Sequence, residues 1–206
     1  MKSKPINQFL TTLFAGVSLF SSLAHAIADK PNIVFIYADD MGYGDVQALN
    51  PKRGKIPTPH MDKLASEGMI FTDAHTSSSV CTPSRYGPLT GRYNWRTHLQ
   101  YPVTWGYSPP LIDAKRLTVA GMLKANGYKT AIVGKWHLGM TMPTTNGVLP
   151  EGRKPKKLNI VWDGEIKDGP TDRGFDYFYG ISASLDMAPY IYIHNDRFDG
   201  EMPANS

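Results

Sequence analysis

The sequence predicts an α/β protein, a mostly parallel sheet flanked by helices. Three observations predict it. Short apolar runs rich in β-branched and aromatic residues recur along the chain, the pattern of strands buried on both faces. Segments with helix start and stop residues lie between them. The composition is that of a globular protein, with 206 residues, 41% hydrophobic and 19% charged, which excludes a disordered polymer, a collagen-like repeat and a multi-span membrane protein.

Taken in order, the chain opens with Lys2 and Lys4, a mostly apolar run from Phe9 to Phe20, and Ala24-His25-Ala26. That three-part pattern is a secretory signal over residues 1–26, cleaved after Ala26. The expected mature protein, residues 27–206, is exported to the periplasm or secreted, with no membrane association after cleavage. Residues 32–38 (NIVFIYA) predict a buried strand. Thr58-Pro59 followed by HMDKLASEG predicts a helix capped by Thr58, with Pro59 at its first position and Gly68 at its end. Residues 69–74 (MIFTDA) predict a second strand, and a helix opens near Ser84. Residues 117–126 predict a helix with Thr118 as cap and Gly127 beyond it. Residues 128–133 (YKTAIV) predict a strand. Residues 141–157, rich in Pro, Gly, Thr and Lys, read as a surface excursion. Residues 158–167 predict a hairpin around Asp163-Gly164, and residues 175–181 an aromatic core segment.

Three of these places hold chemistry. Asp39-Asp40 follows the first strand, and the carboxyl ends of strands are where α/β sites form. Two adjacent carboxylates repel, and a hard divalent cation relieves that cost; the alternative is a solvated turn into Gly42. Cys81-Thr82-Pro83-Ser84-Arg85 holds the chain's one cysteine. Pro83 fits a first helical turn, which places position 81 at a helix N-terminus, where backbone N–H groups favour an anion. Arg85, four residues on, reaches the same face with a guanidinium suited to an oxyanion. The alternative is a small buried cysteine beside a structural arginine. Gly134-Lys135-Trp136-His137 follows the third strand; in an extended backbone Lys135 and His137 point to one side, one to hold a charged oxygen, the other to move a proton. A net charge of +4, from 22 Lys and Arg against 18 Asp and Glu, gives no case for nucleic acid and does not repel an anionic substrate.

Together, the Cys81-x-Pro-Ser-Arg85 signature, the strand ending in Asp39-Asp40, Thr58-Pro59-His60-Met61-Asp62, Leu89-Thr90-Gly91-Arg92 and Gly134-Lys135-Trp136-His137 resemble, in order, the type I sulfatases of the alkaline phosphatase superfamily. The nearest likeness is to arylsulfatase-A-like and N-acetylgalactosamine-6-sulfatase-like enzymes, and it runs over nearly all of residues 30–193. The resemblance implies that a maturation enzyme converts Cys81 to Cα-formylglycine. Its hydrate attacks the sulfur of a sulfate ester through one hydroxyl, and the second hydroxyl loses its proton to expel sulfate. The resemblance further implies that Asp39, Asp40 and the oxygen at position 81 ligate Ca²⁺. Arg85 would steady the nucleophile, Lys135 and Ser184 would contact the sulfate ester, and His137 would accept the proton of the release step. Sulfated carbohydrates are the expected substrates.

The sequence departs from the family in one respect. Family members are longer, and their second half supplies an Asp-Asn or Asp-His pair for calcium, a histidine general acid and a further lysine. No Asp-Asn or Asp-His dipeptide occurs in the 206 residues. The expectation is an N-terminal part of a sulfatase catalytic domain with little activity of its own, prone to aggregate through exposed sheet edges. Alternatives that stay open are a phosphate or phosphonate ester hydrolase of the same superfamily and a non-catalytic remnant that binds sulfated glycans. A thiolate metal site lacks the paired cysteines it needs.

Overall fold

The computed structural model describes residues 30–100 and 102–201. The signal reading of residues 1–26 lies outside them. The chain divides into two compact units, Met1–Pro57 and Thr58–Ser206.

The described part of the first unit, residues 30–57, holds two short 3-10 turns, Tyr43–Asp45 and Gln47–Leu49. The Gly42 N–H donates to the Asp45 carboxylate at 2.8 Å, and the Asn50 side chain donates to the Gly44 carbonyl at 3.2 Å. The strand expected over residues 32–38 does not form. These residues carry no ladder pairing and are exposed, Val34 at 83% and Ile36 at 84%. An apolar run becomes a buried strand only where neighbours complete its ladder and cover both its faces.

In the second unit the helices follow their sequence signals. α1 runs Pro59–Glu67, with proline in its first turn and Gly68 at its C-cap. Thr58 holds the cap position, although its hydroxyl donates to the Asp62 carboxylate at 2.9 Å instead of accepting a backbone N–H. α2 runs Cys81–Thr90 from a Val80 N-cap, three residues ahead of the start expected at Ser84, with Pro83 in its first turn. It closes on Gly91 at φ 65°, a left-handed cap whose N–H reaches the Gly87 carbonyl at 2.8 Å. α3 runs Val119–Ala125; the Thr118 hydroxyl accepts from the Gly121 N–H at 3.0 Å, and Gly127 turns away at φ 81°.

Four strands form one mixed sheet in the order β1-β2-β3-β4. β1 (Ala131–Lys135) pairs parallel with β2 (Tyr177–Ile181), Gly134 opposite Gly180. β2 pairs antiparallel with β3 (Tyr192–His194), and β3 with β4 (Arg197–Asp199). The α/β class is borne out, with the parallel character residing in β1–β2. Residues 69–74 do not form the expected strand; they are exposed and turn at Thr72-Asp73. The hairpin expected around Asp163-Gly164 is also replaced. Ile160 and Lys167 bridge back to Thr144 and Thr141, so the two flanks pair with that segment and not with each other. The hairpin that forms is β3–β4, which turns through Asn195 at φ 57°. Asparagine tolerates this conformation better than most residues.

The core of this unit gathers Tyr86 from α2, Tyr107, Ile112, Trp136, Leu138, Met140, Phe175, and Phe178 and Ile193 from the sheet. Trp136 packs edge-on to Phe175 at 6.5 Å, and its indole N–H donates to the Gly139 carbonyl at 2.8 Å. Among the described residues no helix is long and apolar enough to cross a membrane.

Candidate active site

α2 and the end of β1 bring most of the expected residues together. Cys81 is a free, half-buried cysteine at the first position of α2. Val80 offers no side-chain cap, so the positive end of the helix falls at Cys81. The next three residues, Thr82, Pro83 and Ser84, are buried, and they anchor the helix start.

Two bonds tie this start to the strand end. Arg85 Nη1 donates to the Lys135 carbonyl at 2.6 Å, across 50 residues of sequence. Thr82 Oγ1 donates to the His137 carbonyl at 3.0 Å, across 55. Thr104 Oγ1 reaches the same carbonyl at 3.1 Å and lies 3.2 Å from Thr82 Oγ1, which in turn accepts the Thr104 N–H at 3.1 Å. One buried carbonyl therefore draws in two hydroxyls, and this small network fixes how the chain leaves β1. Thr82 and Thr104 were not expected to matter. Thr82 sits inside the signature, where its hydroxyl was a hint, whereas Thr104 gave no signal beyond being a polar residue beside Val103 and Trp105.

Lys135 ends β1, and its ammonium lies 3.5 Å from Ser184 Oγ. His137 corrects the expectation that it shares a side with Lys135 on an extended chain. The strand stops at Lys135, and His137 adopts φ 58° and is completely buried. The turn comes from the competing backbone bonds: after β1 the Trp136 and His137 N–H groups still reach the Ile181 and Ser182 carbonyls, while the His137 carbonyl is turned to the two threonines. His137 Nε2 lies 2.8 Å from the Thr104 carbonyl. A carbonyl only accepts, so Nε2 carries the proton, and Nδ1 is the nitrogen able to take another.

Cys81, Arg85, Lys135, His137 and Ser184 are thus linked within the second unit. Asp39 and Asp40 belong to the first, where they stand side by side on an exposed bend, with Asp40 at φ 55°. Their oxygen donors suit a hard cation, though two residues supply only part of the six to eight oxygens calcium takes. Among the described residues no group of three or more His, Cys, Asp and Glu side chains gathers as a metal centre.

Residues 31–201 match the family model described as Sulfatase. The chain is 36% identical over 201 residues to an N-acetylgalactosamine-6-O-sulfatase of Bacteroides thetaiotaomicron, covering 94% of this chain and 36% of the relative. It is 39% identical over 191 residues to human arylsulfatase G, covering 87% and 31%. A solved Bacteroides thetaiotaomicron structure, described under the metabolism of multiple glycosaminoglycans, superposes with a TM-score of 0.71 at 39% identity, over 85% of this chain and 33% of that one. The chain spans about a third of the length of the curated relatives it matches.

Proposed function

The chain belongs to the sulfatase family, and from that premise we propose that its chemistry is the hydrolysis of sulfate esters, with sulfated carbohydrates as substrates and Cys81 as the position of the nucleophile. The observation that carries this reading is the bond from the Arg85 guanidinium to the Lys135 carbonyl, which joins the signature helix to the strand end bearing Lys135 and His137.

Cys81, oxidised to formylglycine by a maturation enzyme, supplies a hydrated aldehyde whose two hydroxyls serve attack and release in turn. The chain's own residues prepare that chemistry. The α2 N-terminus and the Arg85 guanidinium place positive charge at the nucleophile, favouring its oxyanion. The bond to the Lys135 carbonyl holds one edge of the guanidinium and so sets its plane. Lys135, with Ser184 beside its ammonium, binds the oxygens of the sulfate ester. His137, its tautomer fixed by the Thr104 carbonyl, takes up a proton at Nδ1 in the release step. Asp39 and Asp40 would supply oxygen ligands to Ca²⁺, which when bound would furnish Lewis-acid charge for a sulfate ester. We propose in addition that residues 1–26 direct export, and that the 206-residue chain alone turns over little or no aryl sulfate.

The test is mass spectrometry of the peptide bearing Cys81 after co-production with a formylglycine-generating enzyme, together with a Cys81→Ser variant in the setting of a full-length sulfatase. The expected results are an aldehyde in place of the thiol, and a serine variant that is sulfated once by an aryl sulfate and then stalls for want of a second hydroxyl. Retention of the thiol with undiminished turnover, or full turnover by the serine variant, would overturn the reading.

A further inference from the structure

A cleft of about 460 Å³ opens at the far end of α2 from Cys81. Its floor is apolar, formed by the buried Tyr86 and Leu111. Its rim is cationic, with Arg92, Arg96, Lys115 and Arg116 set against one carboxylate, Asp113. Local structure explains the placement. Arg92 follows the left-handed Gly91 cap. Arg96 ends a 3-10 turn, Asn94–Arg96, locked by the Asn94 side chain donating to the Leu99 carbonyl at 2.9 Å and by Thr97 Oγ1 donating to the Asn94 carbonyl at 2.6 Å. Lys115 and Arg116 are presented by a turn in which the Asp113 carboxylate accepts the Lys115 N–H at 2.8 Å and the Asp113 carbonyl accepts the Arg116 N–H at 2.9 Å.

Two features point to a ligand. Among the described residues, none of these four cationic side chains makes a hydrogen bond or an ion pair, so four like charges converge on one concavity with no countercharge beyond Asp113. That arrangement repels itself unless an anion fills it. Between Arg92 and Arg96 in sequence, and outside the residues that line the cleft, Tyr93 and Trp95 stack with ring centroids 4.0 Å apart and 11° between planes. They remain 50% and 54% exposed. A stacked, half-exposed aromatic pair offers a flat apolar platform with polar tips, which suits the C–H face and hydroxyls of a sugar ring and gives nothing to a free inorganic ion. The volume falls in the range of small-molecule sites and exceeds what one sulfate ion fills.

We propose that this cleft binds a sulfated oligosaccharide, with Arg92, Arg96, Lys115 and Arg116 receiving its anionic groups and Tyr93 and Trp95 its ring faces. α2 has ten residues, which separates the cleft from Cys81 by about 15 Å of helix. The cleft is therefore a holding site apart from the chemistry, one that keeps a multiply charged chain on the protein. The choice of sulfate as the anion rests on the function proposed above; the cleft's charge and its aromatic platform do not.

The test is calorimetric titration of the full chain carrying Cys81→Ala, which removes the nucleophile and leaves the cleft intact. The probes are a chondroitin 6-sulfate hexasaccharide, the same hexasaccharide chemically desulfated, and sodium sulfate. Expected results are saturable binding of the sulfated hexasaccharide, at least tenfold weaker binding of the desulfated one, and a further loss of about tenfold for each of Arg96→Gln and Arg116→Gln. Trp95→Ala should weaken the hexasaccharide without changing what sodium sulfate shows. Equal binding by the arginine variants, or equal affinity for sodium sulfate and the hexasaccharide, would overturn the proposal. The glutamine substitutions lie on the rim, and an unchanged thermal midpoint separates lost binding from lost folding. Aryl sulfate turnover by a full-length sulfatase that carries this segment with the cleft unaltered reads the other proposal independently. Turnover without hexasaccharide binding defeats the cleft, and binding without turnover defeats the hydrolase.

Discussion

Substituting Thr82 by valine isolates the network that joins the signature helix to the end of β1. Valine keeps the branched shape and removes one oxygen from a side chain with no solvent exposure. Two losses follow. The donation to the His137 carbonyl at 3.0 Å disappears, at a net cost of about 1 kcal/mol, since Thr104 Oγ1 still serves that carbonyl. The Thr104 N–H, which donates to Thr82 Oγ1 at 3.1 Å, is left buried without its acceptor, at about 1–3 kcal/mol. The expected total is about 3 kcal/mol. Thr82→Ser is the control. It keeps the oxygen and deletes one methyl group, for about 1 kcal/mol. Equilibrium urea unfolding followed by tryptophan fluorescence reads both variants, and the comparison holds where the denaturant slope is unchanged. A valine variant within about 0.5 kcal/mol of the parent would refute the reasoning. So would a serine variant as costly as valine, since packing and not hydrogen bonding would then hold the site.

Three further outcomes follow from other contacts. Asp176 is held down to a pKa of about 2, first by its bond from Lys124, whose ammonium lies 2.7 Å away, and then by the Thr130 N–H. The folded value lies below the unfolded one, so the folded state binds fewer protons through this window. The contribution is complete above about pH 4 and is lost as pH falls toward 2; Asp176→Asn should flatten acid unfolding there, and an unchanged acid midpoint would contradict this. Arg173, 4% exposed at its side chain, donates to the Ile112 carbonyl and to Asp168, and lowers the pKa of Asp168. Arg173→Leu should cost about 3 kcal/mol in urea unfolding and raise the Asp168 pKa toward its ordinary range, measured by carboxyl NMR. A Cβ at Gly180 would meet the Gly134 carbonyl at 1.7 Å across the β1–β2 pair. Gly180→Ala should force the parallel pair apart and cost more than about 3 kcal/mol, and a thermal midpoint matching the parent would show that the strands can shift.

What was legible in the sequence was local. Thr118 caps its helix and Gly127 ends it because side-chain oxygens and glycine act within a few residues. Pro83, as a first-turn residue, put Cys81 at a helix N-terminus, where α2 begins, although the helix was expected to open near Ser84. Strands were legible only where the sheet also supplied partners. Residues 128–133 led to β1, which starts three residues later and ends two later than expected, while residues 32–38 and 69–74 are as apolar and form no ladder. The same limit hid the site's detail. The short spacing from Lys135 to His137 predicted one side of an extended chain. Where His137 faces is instead decided by Thr82 and Thr104, 55 and 33 residues away in sequence. No local pattern reports such a contact. The β3–β4 hairpin turns on Asn195, where no hairpin was expected, while the flanks of Asp163-Gly164 found partners at Thr141 and Thr144.

The separation of Arg85 from Lys135 also sets a clock. A chain is synthesised at roughly 5–20 residues per second, and 50 residues lie between these two partners. The segment from Cys81 to Arg85 therefore emerges about 3–10 s before the strand that will tether it exists. Once the tether closes, Thr82, Pro83 and Ser84 are buried, and these residues are no longer open to a partner. On the function proposed above, conversion of Cys81 would belong to that interval, and slowing synthesis between residues 85 and 135 should lengthen it.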